Sequence, residues 1–146
     1  MKAEILCVGT ELLLGQVLNT NSQFLSIQLN DLGYDVYRQI VVGDNASRLE
    51  QNIKESLARV DVLIMTGGLG PTKDDLTKET VAHAIGEKLV LDLKSAKRLK
   101  NYFIDKREAF NENKKQSYFP KSAVILPNDM GTAPGALIFW NNKKTH

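Results

Sequence analysis

Apolar residues recur along this chain in two alternating rhythms. Ile5–Val8, Val36–Val42 and Val62–Met65 are short apolar stretches with many β-branched residues. They end at Gly9, at Gly43 and at Thr66-Gly67-Gly68, and each predicts a strand. Between the first two, Leu18, Ser22, Leu25, Leu29 and Leu32 recur at three- and four-residue steps, which predicts a helix. Asn19 or Asn21 can cap its start, and Gly33 suits a left-handed residue after its end. Asn45 can cap a second helix with the stripe Leu49, Ile53, Leu57 and Val60. Asp74 or Asp75 can open a third, carrying Val81, Ala84 and Ile85 and closed by Gly86. Strand alternating with helix predicts a parallel sheet with right-handed crossovers. The strands lack clean polar alternation, as expected when both faces of a sheet are buried.

The second half is more polar. Asp92 can cap a long helix with Ala96, Leu99 and Phe103 inward and its lysines outward. Asn111–Tyr118 predicts a short helix stopped by Pro120. Ala123–Leu126 and Ala136–Trp140 predict strands on either side of the loop Gly131-Thr132-Ala133-Pro134-Gly135. Asn141-Asn142 reads as a hairpin turn. The sequence then stops at His146, where a return strand would begin, so the expectation is one domain, 1–146, cut from a larger protein.

Composition narrows the function classes. The 146 residues carry 19 Lys plus Arg and 17 Asp plus Glu, a net charge of +2. That near balance argues against a dedicated nucleic-acid binder. The longest apolar runs fall far short of the ~18 residues of a membrane span. Glu4 interrupts the first apolar stretch, so no signal peptide is expected. A single cysteine, Cys7, excludes an internal disulfide and a cysteine-based metal cluster. These features predict a cytoplasmic protein.

Ligands of open parallel α/β sheets bind beyond the carboxyl ends of the strands. Three such ends are legible: Gly9-Thr10-Glu11, Gly43-Asp44-Asn45, and the run from Thr66 through Gly67, Gly68 and Gly70 to Thr72. Parallel strands would put all three on one edge. The glycine-rich run offers backbone N–H groups beside a helix start, which is an anion cradle suited to a phosphate or diphosphate. A plain tight turn is the alternative. No Gly-Lys-Ser/Thr is present, and Lys73 stands where a dinucleotide fingerprint needs glycine. Glu11, Asp44, Asp74 and Asp75 supply carboxylates. Oxygen ligands of this kind suit Mg²⁺ bridging to substrate phosphates. Helix capping is the alternative for Asp44, Asp74 and Asp75. Cys7 and His83 fit structural places, and the basic run Lys94–Arg107 fits a solvated helix face.

At these loops the sequence resembles the N-terminal domain of the competence/damage-inducible protein CinA, within the MoaB/MogA-like molybdopterin-binding fold. The resemblance rests on 3–16, Asn19-Thr20-Asn21, 41–45, 66–77 and 131–135, and it covers nearly the whole chain. It implies a three-layer α/β sandwich with a mostly parallel sheet. It implies metal-dependent hydrolysis of ADP-ribose to AMP and ribose 5-phosphate. The MoaB/MogA relatives bind molybdopterin and promote its adenylylation. Their Gly-Gly loop and two pocket aspartates map onto Gly67, Gly68, Asp44 and Asp75. Many full-length CinA proteins add a C-terminal deamidase domain, and that activity is not assigned to this chain. The family's proline-rich segment would follow just beyond His146.

The resulting expectation is a nucleotide-sugar pyrophosphatase. The Gly67–Thr72 amides would hold the diphosphate, and Asp44 and Asp75 would hold a divalent ion, Mg²⁺ by preference. Asp75 would steer the attacking water, while Gly9, Thr10, Glu11, Asn19, Asn21 and Asp74 would shape the rim. The rivals are a pterin-binding domain of molybdenum cofactor biosynthesis and a non-catalytic nucleotide-binding module. Homo-oligomers are expected from the relatives, with no membrane or nucleic-acid partner.

Overall fold

Strand β1, Lys2–Val8, is buried from Ala3 to its end, and it organises the first half of the chain. The computed structural model describes residues 1–140. These form two compact units, Met1–Gly68 and Leu69–Trp140.

In the first unit, β1 is followed by a single helical turn, α1 (Thr10–Leu13), and then α2 (Thr20–Asp31). Strand β2 (Asp35–Val42), helix α3 (Ala46–Leu57) and strand β3 (Val62–Thr66) complete it. The sheet order is β2-β1-β3, and both pairings are parallel. Period-two alternation sends Ala3, Ile5 and Cys7 to one face, where they pack with Leu29 and Leu25 of α2. Glu4, Leu6 and Val8 therefore face the other way, and Ser56 of α3 reaches Glu4 there. The sheet is thus covered on both faces, giving the three layers that the alternating rhythm predicts. Cys7 is 1% exposed, a core residue.

Glu4 is the residue that composition alone misjudges. Its carboxylate is fully buried, yet it accepts from Arg59 Nε at 2.6 Å, Arg59 Nη2 at 2.9 Å and Ser56 Oγ at 2.6 Å. That network lets β1 begin at Lys2 rather than Ile5. Asn19 caps α2 by accepting from the Ser22 amide, and Gly33 takes the left-handed conformation at φ 80°. The expected stripe is too long: α2 ends at Asp31, and Leu18 and Leu32 are exposed. Asn45 caps α3 through the Arg48 amide, with Leu49 and Ile53 buried.

The second unit opens with the 69–76 loop and α4 (Thr77–Ala84). Neither Asp74 nor Asp75 caps α4; Leu76 holds the cap position without a side-chain bond. Strand β4 (Leu89–Leu91) pairs antiparallel with β5 (Tyr118–Pro120), a pair too short to announce itself in the sequence. Pro120 therefore lies in a strand instead of ending a helix. Helix α5 (Leu93–Tyr102) is capped by Asp92 through the Ser95 amide and buries Leu99. Helix α6 (Arg107–Asn113) runs into a 3₁₀ turn, Lys114–Ser117. Finally β6 (Val124–Leu126) pairs antiparallel with β7 (Gly135–Leu137), shorter than the expected 136–140 strand. The expected turn at Asn141-Asn142 lies outside the described residues. Among these residues no helix is long and apolar enough to cross a membrane.

Candidate functional site

The parallel register brings three strand ends of the first unit to one edge. Val8 lies opposite Val42, and Cys7 opposite Thr66. Gly9, Gly43 and Gly67 therefore follow their strands at the same end of the sheet. Thr10 and Asp44 join two of these ends. The Thr10 hydroxyl donates to Asp44 Oδ2 at 2.9 Å, the Thr10 amide donates to the same oxygen at 3.2 Å, and the Asp44 amide donates to the hydroxyl at 3.1 Å. Asn21 joins the third, donating from Nδ2 to Thr66 Oγ1 at 3.1 Å. Glu11 folds its carboxylate back against the bare Cα of Gly9. Asn19, expected at the rim, spends its side chain on the α2 cap.

Gly67 and Gly68 both take the left-handed conformation, at φ 93° and 65°. At Gly67 a Cβ would also land on the Val8 carbonyl oxygen. Only glycine lets the chain leave β3 this close to β1.

The remaining predicted residues, Gly70, Thr72, Asp74 and Asp75, belong to the second unit. There Asp75 Oδ2 accepts from the Thr72 hydroxyl at 2.7 Å and the Thr72 amide at 2.9 Å. A Cβ at Gly70 would meet that oxygen at 2.7 Å. Partial burial pushes the Asp75 carboxyl up. Bonds from the Thr72 hydroxyl and amide and the Gly70 amide, with the Lys115 charge, outweigh burial and hold it below the usual carboxylate range. Asp75 is thus an ionised latch that folds the 70–75 loop on itself. Asp74 is exposed.

Two lysines under this loop escaped the sequence reading. Lys115 donates to the carbonyls of Thr72, at 2.8 Å, and of Asp75, and pairs with Glu79 Oε1 at 3.1 Å. Lys78 is 6% exposed, donates to the carbonyls of Lys115 at 3.2 Å and Gln116 at 2.9 Å, and lies 4.2 Å from the Phe119 ring centre. Burial lowers its ammonium pKa to about 8. Its i, i+4, i+7 spacing with Ala82 and Ile85 was the available signal for burial.

The Gly131–Gly135 loop walls, with α5, a cavity of about 270 Å³. Arg98 of the basic helix donates there to the Asn128 carbonyl and to Asp129, so that helix is not simply a solvated face.

Among the described residues no cluster of three or more His, Cys, Asp or Glu forms a metal cage. Asp44 keeps Oδ1 clear of hydrogen bonds, since all its bonds fall on Oδ2 and its amide. That donor set suits an ion held by one or two carboxylates together with ligand phosphates.

The parallel sheet with its helices on both faces is of the MoaB/MogA-type fold. Residues 4–143 match the family described as "Probable molybdopterin binding domain", and the chain belongs to that family, among its competence-damage inducible (CinA) members. It is 53% identical over 144 residues to a protein of Clostridium tetani named as competence-damage inducible, covering 98% of this chain and 35% of that one. A protein of the same name from Clostridium kluyveri is 56% identical over 140 residues, covering 94% and 34%. The chain thus spans about a third of the length of these curated relatives. The crystal structure of CinA from Thermoplasma acidophilum, described as of unknown function, superposes with a TM-score of 0.86 at 33% identity, covering 92% of this chain and 79% of that one. A MogA structure superposes at 0.56 and 18% identity, covering 86% and 76%, and shows the fold alone.

Proposed function

We propose that this domain binds a nucleotide sugar through its strand-end loops and hydrolyses the diphosphate of ADP-ribose to AMP and ribose 5-phosphate. The observation that carries the reading is the shared edge of the first unit, where Thr10, Asp44, Thr66, Gly67 and Gly68 lie at the ends of three parallel strands. The left-handed glycines at the end of β3 are half-buried, and a backbone amide at such a turn suits phosphate oxygens.

Asp44 of the first unit, or Asp75 of the second, is the residue that would hold a divalent ion. When bound, that ion would neutralise charge developing on the phosphoryl oxygens. The chain's own groups do the rest. In the 67–72 loop the Thr72 and Gly70 amides are given to Asp75, so the Gly68 amide would hold the diphosphate. Thr10 orients Asp44 so that Oδ1 is left for the ligand side. Asp75, kept ionised by its donors, is a weak proton acceptor; it orients water by accepting a hydrogen bond.

A second reading, pterin binding, is favoured by the family match. One experiment separates the two. The chain is incubated with ADP-ribose and Mg²⁺, AMP is quantified, and molybdopterin competition is measured alongside. AMP release that falls at least about tenfold in Asp44→Ala and in Asp75→Ala supports hydrolysis. Binding of ADP-ribose without release makes the domain a nucleotide-binding module. Tight molybdopterin binding with no ADP-ribose binding replaces the proposal by the second reading.

A further inference from the structure

Lys115 sits on the 3₁₀ turn Lys114–Ser117, and its ammonium has three N–H donors. Three acceptors meet it: the Thr72 carbonyl, the Asp75 carbonyl and Glu79 Oε1. No donor is left over for a ligand. What Lys115 changes is the direction of two peptide groups. No peptide bond among the described residues is cis. In a trans peptide the carbonyl and the next N–H point in opposite directions. With the Thr72 and Asp75 carbonyls drawn onto Lys115, the Lys73 and Leu76 N–H groups point away from it. Neither N–H has an acceptor among the described residues. Thr72, Lys73 and Asp74 are exposed, so this side of the loop is open to solvent.

The turn that carries Lys115 is itself pinned from below. Gln116 Oε1 and Ser117 Oγ are buried without hydrogen-bond partners, so the turn's own side-chain oxygens do not anchor it. Lys78 does, through the carbonyls of Lys115 and Gln116.

We propose that Lys115 is a positioning residue for anion recognition: by gathering the Thr72 and Asp75 carbonyls it aims the Lys73 and Leu76 amides outward as donors to a ligand phosphate. This rests on the reading of the 67–72 loop as a diphosphate cradle and extends that cradle to residue 76. A positive charge behind the two peptides also polarises them, which strengthens their N–H groups as donors.

The test titrates the chain with inorganic pyrophosphate, following heat and backbone amide resonances. In the wild type the Lys73 and Leu76 amides should shift on saturation. Lys115→Met should melt with a native-like transition, bind pyrophosphate about tenfold or more weakly, and lose those two shifts. Lys115→Arg keeps the charge and donors and should bind within about threefold of wild type. If Lys115→Met does not fold, Lys115→Gln carries the same comparison. Wild-type binding with no shift at Lys73 or Leu76, or equal binding by the Met variant, overturns the role of Lys115 and leaves the diphosphate reading standing. No binding by the wild type overturns that reading, and this inference with it.

Discussion

Thr10 and Asp44 are 34 residues apart in sequence and share three hydrogen bonds, two accepted by Asp44 Oδ2 and one by the Thr10 hydroxyl. Thr72 and Asp75 repeat the first two of these bonds three residues apart. In both places a threonine hydroxyl and its own amide fix one carboxylate oxygen. Thr10→Val keeps the shape and removes the hydroxyl. Because the pair is exposed, it should cost only about 1 kcal/mol of stability. Its larger effect should fall on ADP-ribose binding, because Asp44 loses its fixed rotamer. Calorimetric affinity and a denaturant midpoint, measured together, check the split.

Gly67→Ala should be poorly tolerated. The position is left-handed and its Cβ would collide with the Val8 carbonyl. Backbone, not a flexible side-chain end, would have to move. A loss of at least about 2 kcal/mol is expected, read as a fall in the urea midpoint. Gly15→Ala is the control: its φ is 69°, but nothing lies within 4 Å of its Cβ, so it should cost only the conformational part.

Glu4 ties the central strand to α3 and Arg59. Burial raises its carboxyl pKa, and the bonds from Arg59 and Ser56 with the charges of Arg59 and Arg38 more than reverse this, so the folded value lies below the ordinary one. A depressed carboxylate contributes stability that is present above its unfolded pKa and is lost as pH falls toward the folded value. Acid unfolding should therefore steepen below the ordinary carboxylate range, and Glu4→Gln should flatten that limb. At neutral pH the same variant strands Arg59 and should cost about 3 kcal/mol. Thermal melts across an acid pH series measure both effects.

Lys78 should act in the same pH direction, but in an alkaline window. Its ammonium pKa is lowered to about 8 by burial, so the folded chain sheds this proton before the unfolded chain does. Between about 8 and the ordinary value of 10.5 the unfolded state binds more protons, and stability rises with pH on this account. Lys78→Met should abolish that rise relative to wild type. A difference between the two melting curves that stays constant from neutral to alkaline pH would contradict it.

The core frame was legible because its signals are local. Glycine-ended apolar runs and Asn19, Asn45 and Asp92 caps marked the strands and helices of the first unit and the start of α5. The strand-end rule then placed Thr10, Asp44 and Gly67 on one edge. What escaped depends on partners distant in sequence. Glu4 looks like an interruption until Arg59 arrives 55 residues later. Asp75 looks like a helix cap until Thr72 claims it. Lys115 looks like a surface lysine until the Thr72 carbonyl, 43 residues back, meets it. Strands β4 and β5 have three residues each and no periodicity to detect.

The buried thiol in the central strand gives this molecule a built-in clock. Cys7 is the chain's single cysteine, buried between β1 and α2. A thiol reagent can reach it only when α2 lifts from the sheet or the sheet itself opens, so the alkylation rate reports how often this layer comes apart. Any ligand that clamps the strand ends together should slow that labelling, giving a readout of occupancy independent of turnover.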